Sequence, residues 1–204
     1  SQLIVSSRLV SAVNTQNSSL DDLKSYLKAP TYIEMEQPHS NKVVHVCKNT
    51  ATNSCISHAD ALICQDANVA LVVRTADCLP LLLSSDTGWI AAVHAGRKST
   101  QLGITQKLVE QLKQKDSCIS RLDVWLGPCI CKSCYQIDEA TGACFDLVAA
   151  NIQQLKNACL TNKQPIKLNM IHSGLCTLCH PDRLFYSHRR GDKKRFYSVI
   201  CRKS

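Results

Sequence analysis

Glycine (7) and proline (6) are both scarce in the 204 residues, which argues against long disordered or low-complexity tracts. No apolar stretch approaches the roughly 18–20 residues needed to span a bilayer, so no membrane partner is expected. The start of the chain, SQLIVSSRLVSAVNTQN, lacks the charged beginning, long apolar centre and small-residue cleavage site of a secretory signal. A cytoplasmic location is the resulting expectation. Aromatics make up only 5% of the chain, and neither a base-stacking platform nor a recognition-helix pattern is visible. Nucleic acid is therefore not the expected partner, despite a net charge of +8.

What is present fits one ordinary domain, residues 1–204, with 45% hydrophobic residues to build its core. The thirteen cysteines are an odd number in a chain large enough to stand on that core, so most are expected to be reduced and buried. Positive charge gathers at the C-terminal end, where Arg183, Arg189, Arg190, Lys193, Lys194, Arg195, Arg202 and Lys203 face only Asp192 and the neighbouring Asp182. Such a stretch reads either as a solvated basic edge or as a site for a phosphate-bearing ligand.

Hydrophobic spacing divides the chain into strands and helices. Residues 19–28 carry Leu20, Leu23 and Leu27 at helical spacing behind a capping residue. The segment 43–47 reads as a short strand, followed by three apolar runs, Val69–Val73, Leu79–Leu83 and Trp89–Val93. Leu102, Leu108, Val109 and Leu112 predict a helix with Ser99 or Thr100 as its N-cap. A strand is expected at Leu122–Leu126, a helix over 139–158, and strands near 166–171, 184–188 and 196–201. Strands mixed with helices in one run imply a layered α/β or α+β domain.

Three segments concentrate reactive side chains beside strand ends: EQPHS around His39, RTADCLP around Cys78 and AVHAG around His94. Sites often sit on such loops because the sheet holds them rigidly. Asp77 and Pro80 make the Cys78 turn tight and polar. Residue type alone also fits hydrogen-bonded structural histidines, and separations of 39 and 16 positions make no metal motif by themselves.

These segments resemble the YfiH family, also called the laccase-domain or multicopper polyphenol oxidase family. The matching stretches are EQPHS, HADAL (58–62), RTADCLP (74–80), HAGRKS (94–99), LGPCI (126–130), LCT (175–177) and LFYSHRRGD (184–192), in family order over roughly residues 35–200. The resemblance implies that His39, Cys78 and His94 are the metal-binding and catalytic residues, with Arg8 corresponding to an N-terminal arginine. It implies a three-layer α/β sandwich with a mixed sheet, similar to the cysteine-hydrolase domain of cytotoxic necrotizing factor toxins. The activities it implies are purine nucleoside phosphorolysis and adenosine deamination, with copper-dependent phenol oxidation or peptidoglycan-precursor editing as alternatives. Two departures stand out: the N-terminal glycines are missing, and His94 is followed by Ala-Gly-Arg-Lys where the family has Ala-Gly-Trp-Arg.

Two imidazoles and a thiolate leave one position of a tetrahedral zinc open, the pattern of a catalytic site. Phosphorolysis also needs an anion site, and Arg97, Lys98 and Ser99 at a helix start offer charge and backbone N–H groups for phosphate. One His–Cys–His set cannot assemble the several coppers of a true laccase, which ranks nucleoside chemistry first, with copper the alternative metal. The expected partners are a purine nucleoside and phosphate, bound by a monomer or small homo-oligomer. Two further readings remain: a metal-free Cys–His hydrolase with Cys78 as nucleophile, and a basic binding module that keeps a metal for structure. A second cysteine group, Cys129, Cys131 and Cys134 with Cys176 and Cys179-His180, reads as packing thiols, a redox pair or a structural zinc site.

Overall fold

The computed structural model describes residues 2–6, 9–13, 22, 31–50, 54–160 and 165–203. Among these, the strands are β1 (Gln2–Ser6), β2 (Leu9–Val13), β3 (Thr31–Met35), β4 (Val43–His45), β5 (Ser54–Ile56), β6 (Ala61–Cys64), β7 (Val69–Thr75), β8 (Leu79–Ser85), β9 (Ile90–Ala95), β10 (Arg121–Leu126), β11 (Lys167–His172) and β12 (Phe196–Arg202). The helices are α1 (Arg97–Gln101), α2 (Ile104–Lys115) and α3 (Leu147–Leu160). The expected helix over 19–28 lies outside the described residues, Asp22 apart, and so does Arg8.

The strands form two mixed sheets. The first has the order β1-β2-β12-β7-β3-β5, the second β11-β10-β8-β9-β6-β4. In the second sheet β8 pairs antiparallel with both β9 and β10, while the edges β4 and β11 are added in parallel. Strand alternation separates two cores. Leu79, Leu81 and Leu83 of β8 and Ala91 and Val93 of β9 pack with Ile104, Leu108 and Leu112 of α2 and Leu155 of α3. Leu82 and the intervening Ile90 and Ala92 pack instead against Leu71, Val73, Phe196 and Ile200 of the first sheet. Sheet, sheet and helices therefore make three layers, the sandwich that the motifs imply. Because β7, β8 and β9 are covered on both faces, their sequences are nearly continuous apolar runs.

Three expectations are corrected. The helix after His94 does not start at Ser99 or Thr100: Gly96 is the N-cap and Arg97 the first helical residue. Thr100 is buried instead, and its hydroxyl accepts a hydrogen bond from Asn151 Nδ2 at 2.9 Å. Gly103, at φ 76°, then breaks the helix in two, which leaves Leu102 exposed rather than in the core. The helix expected over 139–158 begins only at Leu147, because Asp146 caps it by accepting the Ala149 N–H at 2.9 Å. Residues 184–188 are irregular rather than a strand. Side chains satisfy their backbone: Asp192 accepts from Ser187 N at 2.9 Å, and Arg190 donates to Phe185 O at 2.6 Å.

Candidate active site

His39, Cys78 and His94 meet at one point. Their ligating atoms all lie within 4.8 Å of one another, and the two imidazole centroids are 4.7 Å apart. Each arrives from a different part of the sandwich. His39 follows β3 of the first sheet, Cys78 lies where the chain passes from β7 of the first sheet to β8 of the second, and His94 is near the end of β9.

Asp60, which motif reasoning left without a role, organises two of the three. It is fully buried, and its Oδ1 accepts from His94 Nδ1 at 2.8 Å and from the His39 backbone N–H at 3.1 Å. Its Oδ2 accepts from Ser40 N at 2.6 Å and Ser40 Oγ at 2.7 Å. A carboxylate can only accept, so Nδ1 of His94 carries the proton and Nε2 is left for a ligand. Burial works against ionising Asp60, but its hydrogen bonds to His94 and Ser40 hold the carboxyl below its usual range. Burial likewise disfavours a charged His94, yet its hydrogen bonds with Asp60 and Cys78 outweigh that and push it up to about 9. The His39 imidazole moves the other way, lowered first by desolvation and then by the charge on His94.

The backbone at the site is unusual for residues other than glycine. His39 (φ 62°), Gln37 (φ 66°) and Asp77 (φ 85°) are all left-handed, a concentration typical of functional sites. Asp77 is held there by three contacts. Its carboxylate accepts from Thr177 Oγ1 at 2.6 Å and Arg189 N at 2.7 Å, and its carbonyl accepts from Ile130 N at 2.9 Å. Gly96 is needed for the opposite reason. A Cβ there would sit 2.5 Å from His39 Nδ1 and 3.1 Å from Cys78 Sγ.

The three side chains line a cavity of about 830 Å³. Its walls carry Arg74, Arg97, His188, Arg189, Lys193 and Arg195 against Glu36, Asp77 and Glu139. The C-terminal basic stretch is thus partly turned onto the cavity. Tyr135 contributes an aromatic wall with Arg189 over its ring, 5.5 Å from the centroid, and burial raises its hydroxyl pKa. Of the expected phosphate residues, only Arg97 reaches the lining. Lys98 is exposed and Ser99 fully buried. Successive helical residues point about 100° apart, so the three cannot face one ligand together. Arg189, Lys193 and Arg195 are not singled out by sequence as lining residues, because nothing local shows that the C-terminal charges fold back onto the Cys78 turn.

A second group also converges. The sulfurs of Cys131, Cys134, Cys176 and Cys179 lie within 4.8 Å of one another, while the buried Cys129 and the half-buried His180 stay outside the group.

A layered α/β sandwich with a His–Cys–His set at the sheet ends and a cationic cavity beside it defines a class of protein with a candidate metal-binding pocket. More specifically, the chain belongs to the multi-copper polyphenol oxidoreductase laccase family, whose model matches residues 11–203. It is 34% identical over 177 residues to a purine nucleoside phosphorylase of Campylobacter jejuni, covering 81% of this chain and 75% of that one. A purine nucleoside phosphorylase of Corynebacterium glutamicum is 35% identical over 130 residues, 63% of this chain, and the match spans about half (52%) of that relative. An adenosine deaminase from an unknown prokaryotic organism is 25% identical over 169 residues, 74% of this chain and 64% of that one. Among solved structures, YlmD from Geobacillus stearothermophilus superposes with a TM-score of 0.83 at 22% identity, covering 97% of this chain and 93% of that one. The Bacillus licheniformis protein YfiH gives 0.81 at 20% identity over 96% of this chain and 93% of that one. These two share the fold. No helix among the described residues is long and apolar enough to cross a membrane.

Proposed function

We propose that this protein is a purine nucleoside phosphorylase working at a zinc site formed by His39, Cys78 and His94. The observation that carries the reading is the convergence of these three side chains on the wall of a cavity lined by arginines and lysine. The names of the relatives supply the substrate class. The donor set fits zinc: two imidazoles and one thiolate suit a borderline-soft ion, and three protein ligands leave a fourth position open. Asp60 completes the pattern in which a carboxylate orients a ligating histidine.

Zinc held there supplies Lewis acidity at neutral pH. The residues of the chain do the rest. Asp60 fixes the His94 tautomer, and the left-handed turn at Asp77 presents Cys78. Arg97, Arg189 and Lys193 offer positive charge for phosphate, and Tyr135 a surface for the apolar faces of a nucleoside. In phosphorolysis a phosphate oxygen bonds to the anomeric carbon as the glycosidic C–N bond breaks. The electron pair leaves with the base, which takes up a proton.

A second reading, hydrolytic deamination of adenosine, has its own support in the relative named as an adenosine deaminase and in the same open position. Phenol oxidation is less well supported. Among the described residues, the other metal-competent group is all cysteine and offers no second histidine set for further copper. The zinc-loaded protein should be incubated with inosine and with adenosine, with and without phosphate. Phosphate-dependent release of free base is the expected result. Inosine formed from adenosine without phosphate would favour the deaminase, and neither product would overturn both.

A further inference from the structure

We propose that Cys131, Cys134, Cys176 and Cys179 form a second metal centre, a four-thiolate zinc site distinct from the His39–Cys78–His94 set. The sequence provides two Cys-x2-Cys pairs, and the fold brings them together. A parallel bridge between Cys129 and Cys176 sets the two segments side by side, reinforced by the Thr177 N–H donating to Cys129 O at 3.1 Å. The first pair wraps round a single 3-10 turn, Lys132–Cys134, in which Cys134 N donates to Cys131 O at 3.1 Å. The second pair closes its own turn through sulfur, with Cys179 N donating to Cys176 Sγ at 3.4 Å. Cys131 N donates to the same sulfur at 3.3 Å. Two backbone N–H groups thus converge on one sulfur and fix its position between the two turns.

The spacing of the sulfurs suits an ion and not a bond. All thirteen cysteines are free, and the Cys131 and Cys179 sulfurs are 4.0 Å apart. A disulfide needs about 2.05 Å. Four sulfurs at the usual zinc–sulfur length of about 2.3 Å sit at tetrahedral corners about 3.8 Å apart. Four protein ligands leave no open position, so this centre is structural rather than catalytic.

Its position gives it a purpose. Tyr135, Gln136 and Ile137, directly after Cys134, line the active-site cavity. Thr177, between Cys176 and Cys179, holds the Asp77 carboxylate beside Cys78. One ion would therefore clasp two pieces of cavity wall that are remote in sequence. Loops that carry a substrate pocket without sheet pairing need some other restraint, and the clasp provides it.

The test is metal stoichiometry and spectroscopy, so its result does not depend on the nucleoside reading. Native mass spectrometry and elemental analysis of the purified protein should give two zinc ions per chain. Cys78→Ser should keep one, and the Cys131→Ser/Cys179→Ser double variant should keep the other. Should that double variant fail to fold, cobalt exchanged into Cys78→Ser gives the answer. Strong sulfur-to-cobalt charge-transfer absorption must remain, because the only cysteine of the first set is gone. Loss of that absorption, disulfides in this region of the unreduced protein, or a folded Cys78→Ser protein that holds no zinc would each overturn the proposal. Iron in place of zinc would overturn the choice of ion.

Discussion

Asp77 and Thr177 lie 100 residues apart in the chain and meet at 2.6 Å, hydroxyl donating to carboxylate, in a buried contact. The contact matters because Asp77 is left-handed and its turn delivers Cys78. The alternative extended conformation of Asp77 would aim the sulfur elsewhere, so the hydrogen bond works on the site through the backbone.

Replacing Thr177 by valine keeps the shape and removes the donor. Leaving a buried carboxylate oxygen short of a partner costs about 1–3 kcal/mol. Chemical denaturation should show that loss, and zinc affinity at the first site should fall with it. An unchanged denaturation midpoint would mean that the Asp77 turn stands without this contact.

Asp60→Asn should weaken zinc binding at His39, Cys78 and His94 by roughly 10–100-fold, the usual effect of removing the carboxylate behind a ligating histidine. Competition with a chromogenic chelator measures it directly. The amide cannot accept from four donors on two oxygens as the carboxylate does. Equal affinity in the variant would dismiss the orienting role of Asp60.

In the metal-free protein the same pair makes stability depend on pH. His94 is raised from 6.5 to about 9, so charged His94 stabilises the fold fully below pH 6.5. That contribution is lost as pH rises through about 9. Thermal unfolding followed from pH 6 to pH 10 should show the midpoint falling across this window, and the slope should flatten in Asp60→Asn. A midpoint that holds steady to pH 10 would contradict the pairing.

Gly96→Ala separates metal binding from folding. The glycine has φ −73° and ψ 171°, which alanine adopts freely, so the backbone is not strained. The new methyl instead falls 2.5 Å from His39 Nδ1 and 2.9 Å from its Cε1. The expected outcome is a folded protein that has lost zinc from the first site. Full zinc occupancy in a folded variant would show that His39 is not a ligand.

Arg97→Gln removes a cavity-lining charge. Charge-assisted hydrogen bonds are worth about 1.5–3 kcal/mol, so the KM for phosphate should rise about 10–100-fold while the KM for nucleoside changes little. Steady-state kinetics with each substrate varied in turn distinguish the two. An equal rise in both would move Arg97 from phosphate binding to general pocket shape.

The central strands were legible because β7, β8 and β9 are buried on both faces and read as unbroken apolar runs. Some short strands were harder. β5 is half-exposed or exposed throughout, and β3 and β6 carry no turn chemistry that sets them apart. The three candidate site residues were picked out by motif resemblance rather than by spacing, since sheet stacking, not local sequence, brings them together. The same limit applies to Asp60, whose role depends on donors from two distant strand ends. The cysteine pairs were visible as pairs, but their meeting depends on a bridge between residues 129 and 176. Within the 184–192 segment, one acidic side chain replaced a ladder partner, an exchange that hydrophobic pattern does not record.

His39, Cys78 and His94 also report on the mechanical state of the sandwich. They are delivered to a single point from both sheets, so their geometry holds only while the sheets keep their mutual register. A slide of one sheet by a single residue, about 3.3 Å, would pull the donors out of common reach. An ion bound there would act as a rivet through the two layers, and its dissociation rate would gauge how often the layers shear.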